Sequence, residues 1–293
     1  MKVIPRESKI LSLSHNDLDG AVAQIILGSV YDNITFINTS FYKIDSILET
    51  LDYSKYDYVF LTDIHPDKHQ NLYLSDKIIM LDHHESASEY NDPSKLHFII
   101  SGICGALLTK RFVEKMYNIK LDHLNEMVKL TNDYDMWILK DPKSKELNDI
   151  MFYKYRPVKF RELFFDGRTE FTQEEKDWLK KREVQFENLY NGLDVFEFKK
   201  VSGCVTIAKE FINEICEKLM SEEGYKIVVV RNPSNGRVSV RTKYENLDTG
   251  SILKEYGIGG GHKMSSGFFS TDMNDFKEKM QMLEERFEKE LSL

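Results

Sequence analysis

The sequence has no apolar run of about 18 residues, the length a helix needs to cross a bilayer, so no helical membrane span is expected. Cysteine is scarce. The three residues, Cys104, Cys204 and Cys216, lie far apart without a Cys-x-x-Cys pair, which argues against a zinc ribbon or a disulfide framework and for three reduced thiols. Positive charge is also short: 40 Lys and Arg stand against 48 Asp and Glu, a formal net charge of −8. That excludes a protein that coats nucleic acid wholesale; any nucleic acid must be met through a local basic patch or a metal site. Internal repeats and low-complexity tracts are absent. The first fifteen residues hold only a short apolar patch that reads as a strand rather than a signal peptide, so a cytoplasmic protein is the expectation.

What is present is an ordinary globular composition, 41% hydrophobic and 30% charged over 293 residues, enough for one large domain or two ordinary ones. The first part alternates strands and helices. Strands are expected at 9–14, 34–38, 56–63 and 77–84, and helices at 20–31, 44–51, 102–118 and 121–137. The strands are continuous apolar runs, the pattern of a parallel sheet covered on both faces. An N-terminal, mostly parallel α/β sheet follows, with ligands expected at the carboxyl ends of its strands. From about 142 to 194 the pattern changes to a helical linker region, in which residues 152–168 interleave aromatics with basic residues. That stretch suits base stacking, but the favoured reading is a helix packing its aromatics between domains. The last hundred residues predict a smaller α/β domain, with strands near 203–208 and at 225–231 and 237–242, and helices near 209–221 and 274–290. The expected domains are 1–145, 146–194 and 195–293.

The acids fall in telling places. His15, Asp17 and Asp19 follow the first strand, and Gly20 allows a tight turn into the helix. Asp63 ends the third strand. Four apolar residues, Ile78–Leu81, run into Asp82-His83-His84. In a parallel sheet these ends share one edge, so the clusters converge, and Asp133 and Asp135 follow a later helix. Four carboxylates and two or three imidazoles at one edge would repel unless cations hold them. The mixed donor set suits Mn²⁺, and less specifically Mg²⁺, Zn²⁺ or Co²⁺. Two such ions about 3.5–4 Å apart form a standard phosphoryl-transfer site. His65, two residues after Asp63, is weighed mainly as a surface histidine.

His-x-Asp-x-Asp-Gly, a strand-end Asp, Asp-His-His and a later Asp resemble the four motifs of the DHH phosphoesterase superfamily. The stretch 257–269, with Gly259-Gly260-Gly261-His262, resembles the Gly-Gly-Gly-His motif of the DHH-associated C-terminal domain. The resemblance implies that His15, Asp17 and Asp63 hold one metal. Asp19, Asp63, His83 and an Asp of the fourth motif would hold the other, with Asp63 bridging. Asp133 matches that motif best and Asp135 is the runner-up. It also implies that His84 touches the scissile phosphate and that Asp82 supports the histidines. In the second domain Arg241, in a Ser-x-Arg-Thr context, resembles the family's phosphate-binding strand, and the glycines expose backbone N–H groups for an anion beside His262.

The resulting expectation is a two-metal phosphodiesterase, with Mn²⁺ preferred and Mg²⁺ or Co²⁺ possible, working in a cleft between its domains. The acid-aromatic-acid pattern at 133–135 looks most like the nanoRNase branch, whose substrates are short RNA oligonucleotides or dinucleotides. Alternatives keep the chemistry: a RecJ-like exonuclease on single-stranded DNA, a phosphatase for 3′-phosphoadenosine 5′-phosphate, or a hydrolase of linear or cyclic dinucleotides. A non-catalytic relative should have lost ligands, and here every motif keeps them. A monomer or homodimer is expected.

Overall fold

The computed structural model describes residues 3–66, 76–261 and 263–292. The chain divides into two compact units, Met1–Leu179 and Lys180–Leu293. The segment 146–194 is shared between them, and its first part is core: Leu147, Ile150, Met151, Phe160 and Phe164 are fully buried in the first unit. Phe160 and Phe164 stack at 4.4 Å within that core, so these two rings of the aromatic/basic stretch pack inside the first unit, whereas Tyr153 and Phe165 are exposed.

The first unit runs β1 (Ile10–His15), α1 (Leu18–Gly28), β2 (Ile34–Thr39), α2 (Phe41–Thr50), β3 (Tyr58–Thr62), β4 (Ile78–Asp82), β5 (His97–Ile99), α3 (Gly105–Tyr117) and α4 (Asn125–Asp135). A last helical stretch holds α5 (Pro142–Asp149), a π-helical turn at Ile150–Tyr155, and α6 (Arg156–Phe164). The strands form a wholly parallel sheet in the order β2-β1-β3-β4-β5. The apolar runs are explained by alternation: Ile79 and Leu81 join the core on one face of the sheet, and Ile78 and Met80 join the core on the other. Strand β5 was not expected from sequence; three residues are too few to carry a periodic signal. Strand order reverses beside β1, which makes a crevice at the carboxyl ends of β1 and β3.

Helix α7 (Gln173–Tyr190) begins with a capping box. The Glu175 carboxylate accepts the Thr172 N–H at 2.7 Å, and the Thr172 hydroxyl accepts the Glu175 N–H at 3.3 Å. The second unit contains β6 (Val195–Glu197), β7 (Gly203–Ile207), α8 (Ile212–Ser221), β8 (Ile227–Arg231), β9 (Arg237–Thr242), α9 (Thr249–Glu255), β10 (Gly259–Gly261), β11 (Ser265–Phe269) and α10 (Met273–Leu291). Its sheet has the order β10-β11-β9-β8-β7-β6, and only β7 and β8 are parallel. Val229, Val240, Leu283 and Phe287 are buried on one side, and Ile215, Cys216 and Val228 on the other. The three thiols are buried and unpaired. Among the described residues no helix is long and apolar enough to cross a membrane.

Candidate active site

Every strand-end acid of the first unit reaches the same edge of the sheet. His15 Nδ1 lies 2.5 Å from Asp17 Oδ2 and 3.8 Å from Asp63 Oδ2. On the other side of Asp63, His83 Nε2 lies 3.2 Å from Asp63 Oδ1, 3.5 Å from Asp135 Oδ2 and 3.8 Å from Asp19 Oδ2. Asp63 thus turns one carboxylate oxygen to each of two donor groups. Its backbone makes this orientation possible: φ is 56°, left-handed, where the strand has just ended. Gly20 is needed for the turn after β1, because a Cβ there would lie 2.2 Å from the His15 carbonyl oxygen.

Asp82 is fully buried and serves the histidines. Its Oδ1 accepts the His83 N–H at 2.8 Å and pairs with His84 Nδ1 at 2.7 Å, while Oδ2 pairs with His65 Nδ1 at 2.6 Å. His65 is therefore not a surface histidine: it is 4% exposed, and its Nε2 meets the Ser86 hydroxyl at 3.1 Å. The sequence offered only its spacing from Asp63, which cannot show that Asp82 of the neighbouring strand faces it. The Phe41 ring sits among three imidazoles, 5.1 Å from His15 and His84 and 5.4 Å from His65.

The fourth motif is corrected. Asp133, the sequence-preferred ligand, accepts the N–H groups of Lys140 at 3.2 Å and Asp141 at 3.1 Å and so clamps the loop after α4. Asp135 takes its place in the cluster. Two residues apart on a helix means about 200° of rotation, so only one of the pair can face the sheet edge. Nothing in the sequence showed that the start of α3 meets the cluster: Asp19 accepts the N–H groups of Gly105 at 2.6 Å and Ala106 at 2.7 Å.

The electrostatics are those of crowded acids. Burial, reinforced by Asp17, Asp19, Asp135 and Asp82, pushes the Asp63 carboxyl well above the usual range. Burial and the charges of Asp19, Asp17 and Asp82 do the same to Asp135. Burial also raises Asp19, opposed by His83. Burial would raise Asp17 as well, but His15 and the Gly20 N–H hold it well below the usual range. Burial lowers His83; for His84 burial is outweighed by Asp82, which raises it. Asp63 Oδ2 and Asp135 Oδ2 are buried and accept no hydrogen bond among the described residues. Buried carboxylate oxygens without donors, beside imidazoles that offer a ring nitrogen, fit divalent cations. Three donor groups have atoms close enough to share one ion: Asp63, Asp82, His83 and His84; His15, Asp17 and Asp63; and Asp19, His83 and Asp135.

In the second unit Arg241 lies on β9, where Nη2 donates to Asn213 Oδ1 at 3.0 Å and Nη1 to the Val240 carbonyl at 3.1 Å. Gly259–Gly261 forms an edge strand in which Gly261 pairs with Ser266, itself paired with Val240, so the glycines and Arg241 lie near one end of the sheet. Close pairing alone requires two of them. A Cβ on Gly259 would lie 2.2 Å from the Gly267 carbonyl oxygen, and one on Gly261 2.6 Å from Ser266 Cα. His262 lies outside the described residues.

Residues 204–290 match the DHHA1 domain family. Oligoribonuclease NrnB of Bacillus subtilis (strain 168) is 23% identical over 304 residues, covering 88% of this chain and 72% of that protein. The second unit carries a DHHA1 domain. The fold agrees. The pGpG-specific phosphodiesterase PggH from Vibrio cholerae superposes with a TM-score of 0.61 at 14% identity, over 95% of this chain and 98% of that one. RecJ from Thermus thermophilus, in complex with Mn²⁺, gives 0.55 at 14% identity, over 96% of this chain but only 52% of RecJ. Three of the expected motifs supply the strand-end part of the cluster, the fourth adds Asp135 from α4, and the DHHA1 match covers most of the second unit.

Proposed function

We propose that the protein is a divalent-metal-dependent phosphodiesterase that hydrolyses short oligonucleotides, with RNA of two to five residues as its best substrates. The observation that carries the proposal is Asp63, which turns Oδ1 to His83 and Oδ2 to His15, one oxygen toward each donor group. His15, Asp17 and Asp63 would hold one cation, and Asp19, Asp63, His83 and Asp135 a second. Mn²⁺ best suits this mixed imidazole and carboxylate set. When bound, such ions supply Lewis-acid polarisation of the phosphoryl oxygens and a water acidified toward neutrality.

The chain's own residues do the rest. Asp82 pairs with His84 Nδ1 and raises the ring's pKa, which favours the form that would donate from Nε2 to a non-bridging phosphoryl oxygen. Through His65 Nδ1 and the His83 N–H, the same carboxylate fixes the strand end that carries both histidines. Arg241 and the Gly259–Gly261 strand would take a further phosphate of a short substrate. NrnB, named an oligoribonuclease, supports the substrate class. The test is a panel of RNA and DNA oligomers of two to twenty-five nucleotides, assayed with Mn²⁺ and with chelator. The expected result is metal-dependent cleavage that is fastest for the shortest RNA. Fastest, processive degradation of twenty-mer single-stranded DNA would replace this reading with a RecJ-like one.

A further inference from the structure

Arg161 belongs to the aromatic/basic stretch, yet packing does not account for its guanidinium. It lies on α6, half-buried, with its Cζ 4.1 Å from the centroid of the Phe36 ring. Nη1 donates to Gln24 Oε1 at 2.5 Å and to Asn38 Oδ1 at 3.4 Å. Both amides are locked with their oxygens toward the arginine. Gln24 Nε2 donates to the carbonyls of Ser12 at 3.3 Å and Ile37 at 3.1 Å, and Asn38 Nδ2 donates to the His15 carbonyl at 3.0 Å. Flipping either amide would lose these bonds.

The cation is thus held by two neutral oxygens and a ring face, with no carboxylate in salt-bridge range among the described residues. Its neighbour Glu162 pairs with Lys159 at 3.0 Å instead. Arg168 and Arg182, by contrast, pair with Glu175 and Glu214. A partly buried cation that lacks a counter-ion is unfavourable on its own, and here it persists in a chain of net charge −8. Nε and Nη2 make no hydrogen bond among the described residues. They are one parallel side of the guanidinium fork, the pair of donors that matches a phosphate. The location suits that ligand too, since Asn38, at the carboxyl end of β2, links Arg161 to the backbone of His15 in the acidic cluster.

We infer that Arg161 binds an anionic phosphate of the substrate beside the one that is cleaved, a subsite of the first unit separate from Arg241. The inference rests on the phosphodiesterase reading. It is tested with the dinucleotide ApA, its 5′-phosphorylated form pApA and its 3′-phosphorylated form ApAp, using the metal-loaded full chain. In the wild type, one added terminal phosphate should lower KM. Arg161→Ala should erase that advantage, raising KM for the favoured dinucleotide about tenfold while leaving the order of kcat values unchanged, and Arg161→Lys should restore part of it. A wild type that gains nothing from either phosphate, or an Arg161→Ala variant that keeps the full advantage while kcat falls for all three, overturns the inference. If no dinucleotide is cleaved at all, the functional reading fails separately. Calorimetric titration of pApA and ApAp into the chelated protein then decides: weaker binding of one by Arg161→Ala supports the subsite, and equal binding of both overturns it.

Discussion

Asp19 and Gly105 meet at 2.6 Å, carboxylate to backbone N–H, so the first turns of α1 and α3 are joined at the acidic cluster. The contact leaves no room for a side chain. A Cβ on Gly105 would lie 2.9 Å from Asp19 Oδ2 and 2.9 Å from Asp63 Cβ. Gly105→Ala should therefore displace two of the carboxylates proposed to hold metal while the apolar core stays intact. The expected outcome is a folded protein by circular dichroism that has lost most of its Mn²⁺ binding by calorimetry. Tight wild-type metal binding by this variant would show that Asp19 and Asp63 do not act from the positions they occupy.

Asp135 and Asp133 should separate chemistry from stability. Asp135→Ala removes a cluster carboxylate that lies 3.5 Å from His83 Nε2, and turnover should fall by ~10²-fold or more, about 2.7 kcal/mol of barrier, with little change in Tm. Asp133→Ala strips two backbone N–H groups of their acceptor, which should cost about 1–3 kcal/mol of stability while turnover persists. The reverse pattern, measured by thermal melts and initial rates, would return the ligand role to Asp133.

Asp63 should be the most costly acid to lose. Asp63→Ala takes an oxygen from both donor groups at once and should lower kcat by at least ~10³-fold. The metal-free variant should be no less stable than wild type, because the carboxyl it loses is the one that its neighbours repel. Activity within about tenfold of wild type would remove Asp63 from the bridging position.

The pH dependence follows from the raised carboxyls of Asp63, Asp135 and Asp19. A group whose pKa is higher folded than unfolded adds stability that is complete below the unfolded value, near 3.9 for Asp, and is lost as pH rises through the folded value. The chelated protein should therefore lose this contribution as pH rises above the usual carboxylate range. Cations bind the deprotonated cluster, so Mn²⁺ should raise Tm more at pH 8 than at pH 5.5 and should release protons on binding. Melting curves at both pH values, with and without chelator, check the sign. A larger shift at the lower pH would mean that the cluster is not the metal site.

Arg241 should matter through substrate length. Arg241→Ala should raise KM for two- to five-residue RNA, with the loss of a charge-assisted phosphate contact worth about 1.5–3 kcal/mol, and should matter much less for a small bis-aryl phosphate ester. Equal losses on both substrates, measured by steady-state kinetics, would point to a folding role for its bonds to Asn213 and Val240.

The sequence by itself determined the parallel sheet and most of the acidic edge. Continuous apolar strands have to be buried on both faces, and residues placed just past parallel strand ends have to share an edge; these are local regularities that a linear pattern carries. His15, Asp17, Asp19, Asp63, Asp82, His83 and His84 were legible for that reason. Only the tertiary structure decided between Asp133 and Asp135, because the choice depends on which way α4 is rotated against the sheet, and both faces of its last turn carry an acid. Only the tertiary structure brought His65 to Asp82 and the α3 N-terminus to Asp19, since these partners lie 17 and 86 residues apart and neither pairing leaves a periodic trace. The same holds for Arg161. Its sequence neighbours marked it as one more basic residue among aromatics, and the locked amides of Gln24 and Asn38, 137 and 123 residues away, are what leave half of its guanidinium without a partner among the described residues.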